Sequence, residues 1–192
     1  MKLSKRGEYA LRALIDFGIA DAMGRPMLKI SELVAKERLP VKFLEQILTQ
    51  LRVGGFIQTK RGKAGGYSLA KPAREIVLGQ VIRLIDGPLA PISCVSVTAY
   101  ERCSCPDEDH CGLRMLMLDV RNAIAQILDR YCLADVVNIT LRKMHRTGLA
   151  NPFTVEQILN STPRPDPHTP LSGFLDELAK VPSPSPKPPR HQ

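Results

Sequence analysis

Four of the five cysteines lie within eighteen residues, in the stretch CVSVTAYERCSCPDEDHC from Cys94 to Cys111. Their spacing is C-x8-C-x-C-x5-C, and crowding of this kind serves metal or redox chemistry rather than a framework of structural bridges. Thiolates are the usual ligands of iron–sulfur clusters, which makes Cys94, Cys103, Cys105 and Cys111 candidate ligands. Two other chemistries stay open. One is a structural zinc on Cys103, Cys105, His110 and Cys111, for which Cys-x-Cys is an unusual spacing; the other is bare thiols that answer oxidants by forming a disulfide. His110 sits in the acidic run Asp107-Glu108-Asp109 and reads as a solvated loop residue, while Cys132 has apolar neighbours and reads as a buried thiol.

A loop with such chemistry needs elements to hold it and something to act on. The 192 residues, 44% of them hydrophobic, suffice for one compact domain plus a long helix. Residues 1–75 carry 15 Lys or Arg against 7 Asp or Glu, whereas the remainder carries 12 of each, so the whole net charge of +8 is N-terminal. A basic module joined to a neutral one suits a nucleic-acid reader with a separate sensing or assembly half. Glu8, Arg12 and Asp16 interrupt the first apolar run and argue against a signal peptide. No uncharged run is long enough for a membrane span, so the expected compartment is the cytoplasm.

Along the chain, Ser4 is a candidate cap for a first helix that turns Ala10, Leu11, Leu14, Ile15, Gly18 and Ile19 to one face. Met23-Gly24-Arg25-Pro26 ends it. Ser31 is the candidate cap of a second helix, broken at Arg38-Leu39-Pro40. A third helix, from about Val41 to Arg52, turns Phe43, Leu44, Ile47, Leu48 and Leu51 inward and leaves Lys42, Glu45, Gln46, Thr49 and Gln50 outward. A short helix, a tight turn and a polar-faced helix make a helix-turn-helix whose second member fits a major groove. Phe56–Thr59 and Tyr67–Leu69 then read as two strands around the loop KRGKAGG, a wing that offers Lys60, Arg61 and Lys63 to a minor groove or to phosphates. That loop does not match GxxxxGK[ST] and no helix follows it, which excludes a phosphate-binding loop of that kind.

Ile76–Ile85 forms a further short segment closed by Asp86-Gly87-Pro88. Beyond the cysteines, Leu113, Leu116, Met117, Val120, Ile124, Ile127, Leu128 and Tyr131 repeat at three and four residues along one long helix. A stripe of that length on so small a domain calls for a second copy to cover it, hence a homodimer.

MKLSKRGEYALRAL, ISELVAKERLPVKFLEQILTQLRVGGFI, KRGKAGGYSLAKP and the cysteine loop running into CGLRMLMLDVRNAIAQILD together resemble the Rrf2 family of bacterial winged-helix regulators. The resemblance covers residues 1 to about 137. It implies a dimeric transcription factor, a repressor on a palindromic double-stranded operator, with a [2Fe-2S] or [4Fe-4S] cluster in many members that senses iron, nitric oxide or redox state. It further implies that Cys94, Cys105 and Cys111 are the ligand trio, that Glu45 and Gln46 face base edges, and that Arg61 enters the minor groove. Cys103 is an additional thiol, and Arg114 stands where some members have a histidine ligand. A fourth ligand would then come from Cys103 or from Glu8, which stands where some relatives place a carboxylate supplied by the other subunit.

The expected fold is mainly helical with a small β wing, a winged helix-turn-helix plus a long dimerisation helix. Residues 1–88 form the DNA-binding domain, 89–112 the cysteine-rich loop, and 113–150 the dimerisation helix and the segment after it. Residues 151–192 hold 10 of the 16 prolines and read as a largely disordered tail, with a short amphipathic helix over Leu171–Val181. No nucleophile motif, nucleotide loop or catalytic carboxylate pair is present, so an enzyme is not expected. The alternative within the same fold is a cluster-free regulator switched by thiol oxidation or by a protein partner.

Overall fold

The computed structural model describes residues 3–62, 65–149, 153 and 173–179. It is mainly helical with one small antiparallel sheet, as the pattern of apolar residues predicts. Helix α1 (Lys5–Ala22) is the centre of the molecule. Its N-cap is Ser4, whose side chain accepts a hydrogen bond from the Gly7 N–H, and Ala10, Ala13, Leu14 and Phe17 are fully buried. Around it stand α2 (Ile30–Glu37), α3 (Val41–Val53), α4 (Leu78–Asp86) and α6 (Leu133–Arg146).

The caps explain the helix-turn-helix. Ser31 does not cap α2. The cap lies two residues earlier, at Lys29, so the helix starts at Ile30, and the Glu32 carboxylate accepts the Lys29 N–H at 2.8 Å. Arg38 adopts a left-handed conformation (φ 53°) that closes α2, and Pro40 opens α3 with its φ of −60° already suited to a helix start. Leu44, Ile47, Leu48 and Leu51 bury one face of α3.

Strands β1 (Ile57–Lys60) and β2 (Gly66–Leu69) pair antiparallel, Ile57 opposite Leu69 and Lys60 opposite Gly66. Leu28 adds an isolated bridge to β2 by exchanging both backbone hydrogen bonds with Tyr67, at 3.0 and 2.8 Å. Gly66 is required there, because a Cβ would lie 2.5 Å from the Leu28 carbonyl oxygen.

Helix α4 starts at Leu78 rather than at Ile76. Ile76 and Val77 are instead extended: the Ile76 carbonyl accepts from the Leu133 N–H at 2.8 Å, and Val77 bridges Cys132. This rung anchors α6, whose Leu133 and Val137 are buried in the same core and pack on α1 at Gly18, where a Cβ would lie 2.5 Å from Val137 Cγ2.

Helix α5 (Gly112–Arg130) is 19 residues long and has no fully buried residue. Leu113, Leu116, Val120 and Ile127 are 59, 57, 37 and 48% exposed, and their three- and four-residue spacing puts them on one stripe. The opposite face is fastened to α4 by a two-pronged ion pair of Arg83 with Asp129, at 2.6 and 2.7 Å. Helix α7 (Phe174–Ala179) falls within the predicted tail helix, and the Phe174 ring meets Tyr131 edge to face at 4.9 Å; Leu171 and Val181, its expected ends, lie outside the described residues. No described helix is long and apolar enough to cross a membrane.

Candidate nucleic-acid interface and cysteine loop

Lys42, Glu45, Gln46 and Thr49 form the exposed face of α3, opposite the buried leucines. The Thr49 hydroxyl donates back to the Glu45 carbonyl at 2.8 Å, and Gln46 Oε1 accepts from Arg6 Nη2 at 2.9 Å. Arg6 therefore brings the first turn of α1 up to the outward face of α3. Lys60 and Arg61 are exposed on the wing, while Lys63 lies outside the described residues. Between the wing, α3 and the start of α2 runs an open cleft of about 530 Å³ lined by Lys29, Thr49, Arg52, Lys60, Arg61 and Tyr67 among others, with no carboxylate among the described lining residues. Arg6, Lys29 and Arg52 escape a reading by helix faces, because each reaches this surface from the end of an element.

The joint between α1 and α2 holds a buried charge set that periodicity does not reveal. Asp16 is only 3% exposed, and burial pushes its carboxyl up to about 7; the nearby Glu37 carboxylate adds to this, while the ion-paired Lys36 ammonium pulls the other way. Arg12 Nε lies 2.5 Å from Glu37 Oε2, and the Lys36 ammonium also sits 4.4 Å from the centre of the Phe153 ring.

The cysteine loop leaves α4 at Asp86. Cys94 is buried in a 3-10 turn (Ser93–Val95), and Cys111 is the half-buried N-cap of α5. Cys103 and Cys105 form a disulfide across a Cα separation of 5.2 Å. Arg114, one turn into α5, donates from Nε to the Cys94 carbonyl at 3.3 Å and pairs with Glu108 at 3.1 Å, while the Tyr100 hydroxyl donates to the same carboxylate at 3.0 Å. That hydrogen bond to Glu108 raises the Tyr100 pKa. His110 is exposed and bonded to Asp107 at 2.8 Å, as a solvated loop residue would be.

Glu8 lies on α1 with Lys5 at 2.7 Å and Arg12 at 3.6 Å, and the hydrogen bond from Lys5 leads in lowering its pKa. Cys132 caps α6 with its thiol 3.1 Å from Asp135, and burial raises its pKa. Among the described residues, no group of three or more His, Cys, Asp or Glu side chains is placed to hold a metal ion. As arranged within one chain, then, Cys94, Cys103, Cys105, Cys111 and Glu8 do not fit a cluster's ligand set: two of the sulfurs are bonded to each other, and Glu8 is held by two cations.

Comparison with known proteins places these features in a family. The family model described as "Rrf2: Iron-dependent Transcriptional regulator" matches residues 3–139. A putative HTH-type transcriptional regulator, rrf2-like, of Rhodobacter capsulatus is 35% identical over 137 residues, 70% of this chain and 91% of that protein. The HTH-type transcriptional regulator IscR of Pectobacterium atrosepticum is 32% identical over 139 residues, 72% of this chain and 80% of that protein. The structure of CymR, the global cysteine regulator of B. subtilis, superposes with a TM-score of 0.61 at 26% identity, covering 72% of this chain and 97% of that one. These relatives are regulators rather than enzymes, and the chain belongs to the Rrf2 family of winged-helix transcriptional regulators.

Proposed function

We propose that this regulator binds a palindromic operator as a homodimer in the cytoplasm, acts as a repressor, and has its operator affinity set by the state of the Cys94–Cys111 loop. The observation that carries the DNA contact is the shared surface of α3 and wing: the exposed Lys42, Glu45, Gln46 and Thr49 lie beside a cleft whose described lining has cations and no carboxylate. Glu45 suits a cytosine amino group and Gln46 an adenine edge, and Arg61 suits a narrow minor groove. Lys60 and Lys63 belong to the same reading as phosphate contacts. The exposed stripe of α5 supports the dimer, since a second copy would cover Leu113, Leu116, Val120 and Ile127. Selection from duplexes with a randomised core tests the whole reading; enrichment of a two-fold symmetric motif is expected, and a pool without one would refute it.

For the signal, the cysteine spacing and the family's iron-dependent description favour an iron–sulfur cluster on Cys94, Cys105 and Cys111, completed by Cys103 or by Glu8 of a second copy. Such a cluster would supply a redox- and iron-sensitive group, and the loop would have to rearrange to receive it. The Cys103–Cys105 disulfide favours a second reading in which the thiols are themselves the sensor. Anaerobic purification with an absorption spectrum, iron and acid-labile sulfide analysis separates the two. Visible bands with matching iron and sulfide, lost in Cys105→Ser, are expected for the cluster. Colourless protein after reconstitution, with two thiols that titrate only after reduction, is expected for the disulfide.

A further inference from the structure

Helix α5 turns two arginines toward the cysteine loop. Arg114 and Arg121 are seven residues apart and share a face with Leu118 and Ala125, away from the exposed stripe. Arg114 is satisfied by Glu108 and the Cys94 carbonyl. Arg121 is not: its Nε is buried and has no hydrogen-bond partner among the described residues. A buried guanidinium N–H without an acceptor is costly, and such groups in folded proteins are normally paired.

Beside Arg121 lies a cavity of about 40 Å³, roughly three times the least space one water needs. Arg83, Ser96, Thr98 and Arg121 supply its polar wall, and the described lining contains no carboxylate. Arg83 is committed to Asp129. The Ser96 oxygen accepts from the Ala99 N–H at 3.0 Å, which leaves its own hydrogen free to donate, and the Thr98 hydroxyl has no partner among the described residues. The uncommitted side-chain groups of the wall, Arg121 Nε and the Ser96 and Thr98 hydroxyls, can all donate, which suits an occupant that accepts.

We infer that this cavity is a binding site for a small inorganic oxyanion, held by the Arg121 guanidinium and the Ser96 and Thr98 hydroxyls. A guanidinium fork matches two oxygens of such an ion in a way that an ammonium cannot. Ser96 and Thr98 follow Cys94 by two and four residues, so the bound ion ties the start of the cysteine loop to α5. The second source of the same chemistry, a carboxylate brought in by another copy of the chain, is an outcome of the test.

The experiment titrates inorganic phosphate into the full-length protein by calorimetry, at an ionic strength held constant with sodium chloride. Wild type is expected to saturate at one phosphate per chain, Arg121→Gln to bind at least tenfold more weakly, Arg121→Lys to fall between them, and Thr98→Val to lose affinity several-fold. Arg52→Ala, which strips a cation from the cleft on the DNA-facing side, is expected to leave this event unchanged. Arg121→Gln titrating like wild type, or Arg52→Ala abolishing the event, would place phosphate on the DNA-facing surface and overturn the proposal. No phosphate binding by wild type, with Arg121→Gln dissociating the dimer in sedimentation, would assign the guanidinium to a carboxylate of a second copy and overturn it equally.

Discussion

Asp16 is a buried acid at the joint that orients the helix-turn-helix, and its titration is a property of that joint. Its folded carboxyl titrates near 7, well above its ordinary value of 3.8, so between those values the folded state keeps a proton that the unfolded chain has released. Stability therefore falls as pH rises through this window, and the full penalty is present above about pH 7. The groups that face it are Lys36 and Glu37, with Arg12 behind Glu37. Urea midpoints of the wild type are expected to decline from pH 5.5 to 8, and Asp16→Asn to flatten that decline; an equally steep decline in the variant would place the proton elsewhere. At the DNA surface, Arg61→Ala is expected to weaken operator binding by about 1–3 kcal/mol at fixed salt, and an unchanged titration would remove Arg61 from the reading set. Residues on a regular face, such as Lys42 and Gln46, are legible from spacing because the buried leucines of α3 determine which side is left outward. Arg6, Lys29, Arg52 and Asp16 are not, because each depends on a neighbour distant in sequence.

At the scale of the elements, boundaries moved where a backbone group found a partner other than the one the residue pattern suggests. Ser31 has the right side chain to cap α2, yet Glu32 reaches back to the Lys29 N–H and starts the helix earlier. Ile76 opens the segment 76–85, yet its carbonyl is taken by the Leu133 N–H and α4 begins only at Leu78. The apolar repeat of α5 was legible as one stripe; in the structure it divides into a face turned toward the loop and α4 and an exposed seam. Leu116 lies on that seam and in the proposed dimer would contribute once from each copy, and burying one leucine side chain stabilises by about 1.5–3 kcal/mol. Leu116→Glu should accordingly shift the sedimentation of the protein from dimer to monomer at micromolar concentration without lowering its helical content. A Leu116→Glu protein that stays dimeric would move the interface off this seam.

For the whole molecule, Asp86 ties the start of α1 to the root of the cysteine loop. This residue ends α4, precedes Cys94 by eight positions, and bonds the start of α1 twice: Oδ2 accepts the Ser4 N–H at 2.9 Å, and Oδ1 accepts the Ser4 hydroxyl. Gly7 leaves room for it, since a Cβ there would run into the carboxylate. A negative group at that position also suits the positive end of the α1 dipole. From the same first turn, Arg6 reaches Gln46 on α3, so the α1 backbone between Ser4 and Arg6 links a bond at the loop's root to one on the outward face of α3. None of this was legible in the sequence, because Ser4 and Asp86 are 82 residues apart and nothing local marks either for the other. Asp86→Asn keeps the shape and removes the charge. It is expected to cost about 0.5–2 kcal/mol in a denaturant titration, the range for a lost helix cap or dipole partner. Its more telling effect is on coupling. In wild type, operator affinity is expected to differ between the reduced or cluster-loaded loop and the oxidised or emptied one. In Asp86→Asn the ratio of the two affinities should move toward one while the tighter of them persists. A variant that loses stability but keeps the wild-type ratio would show that the loop signals through α5 and the dimer rather than through the start of α1.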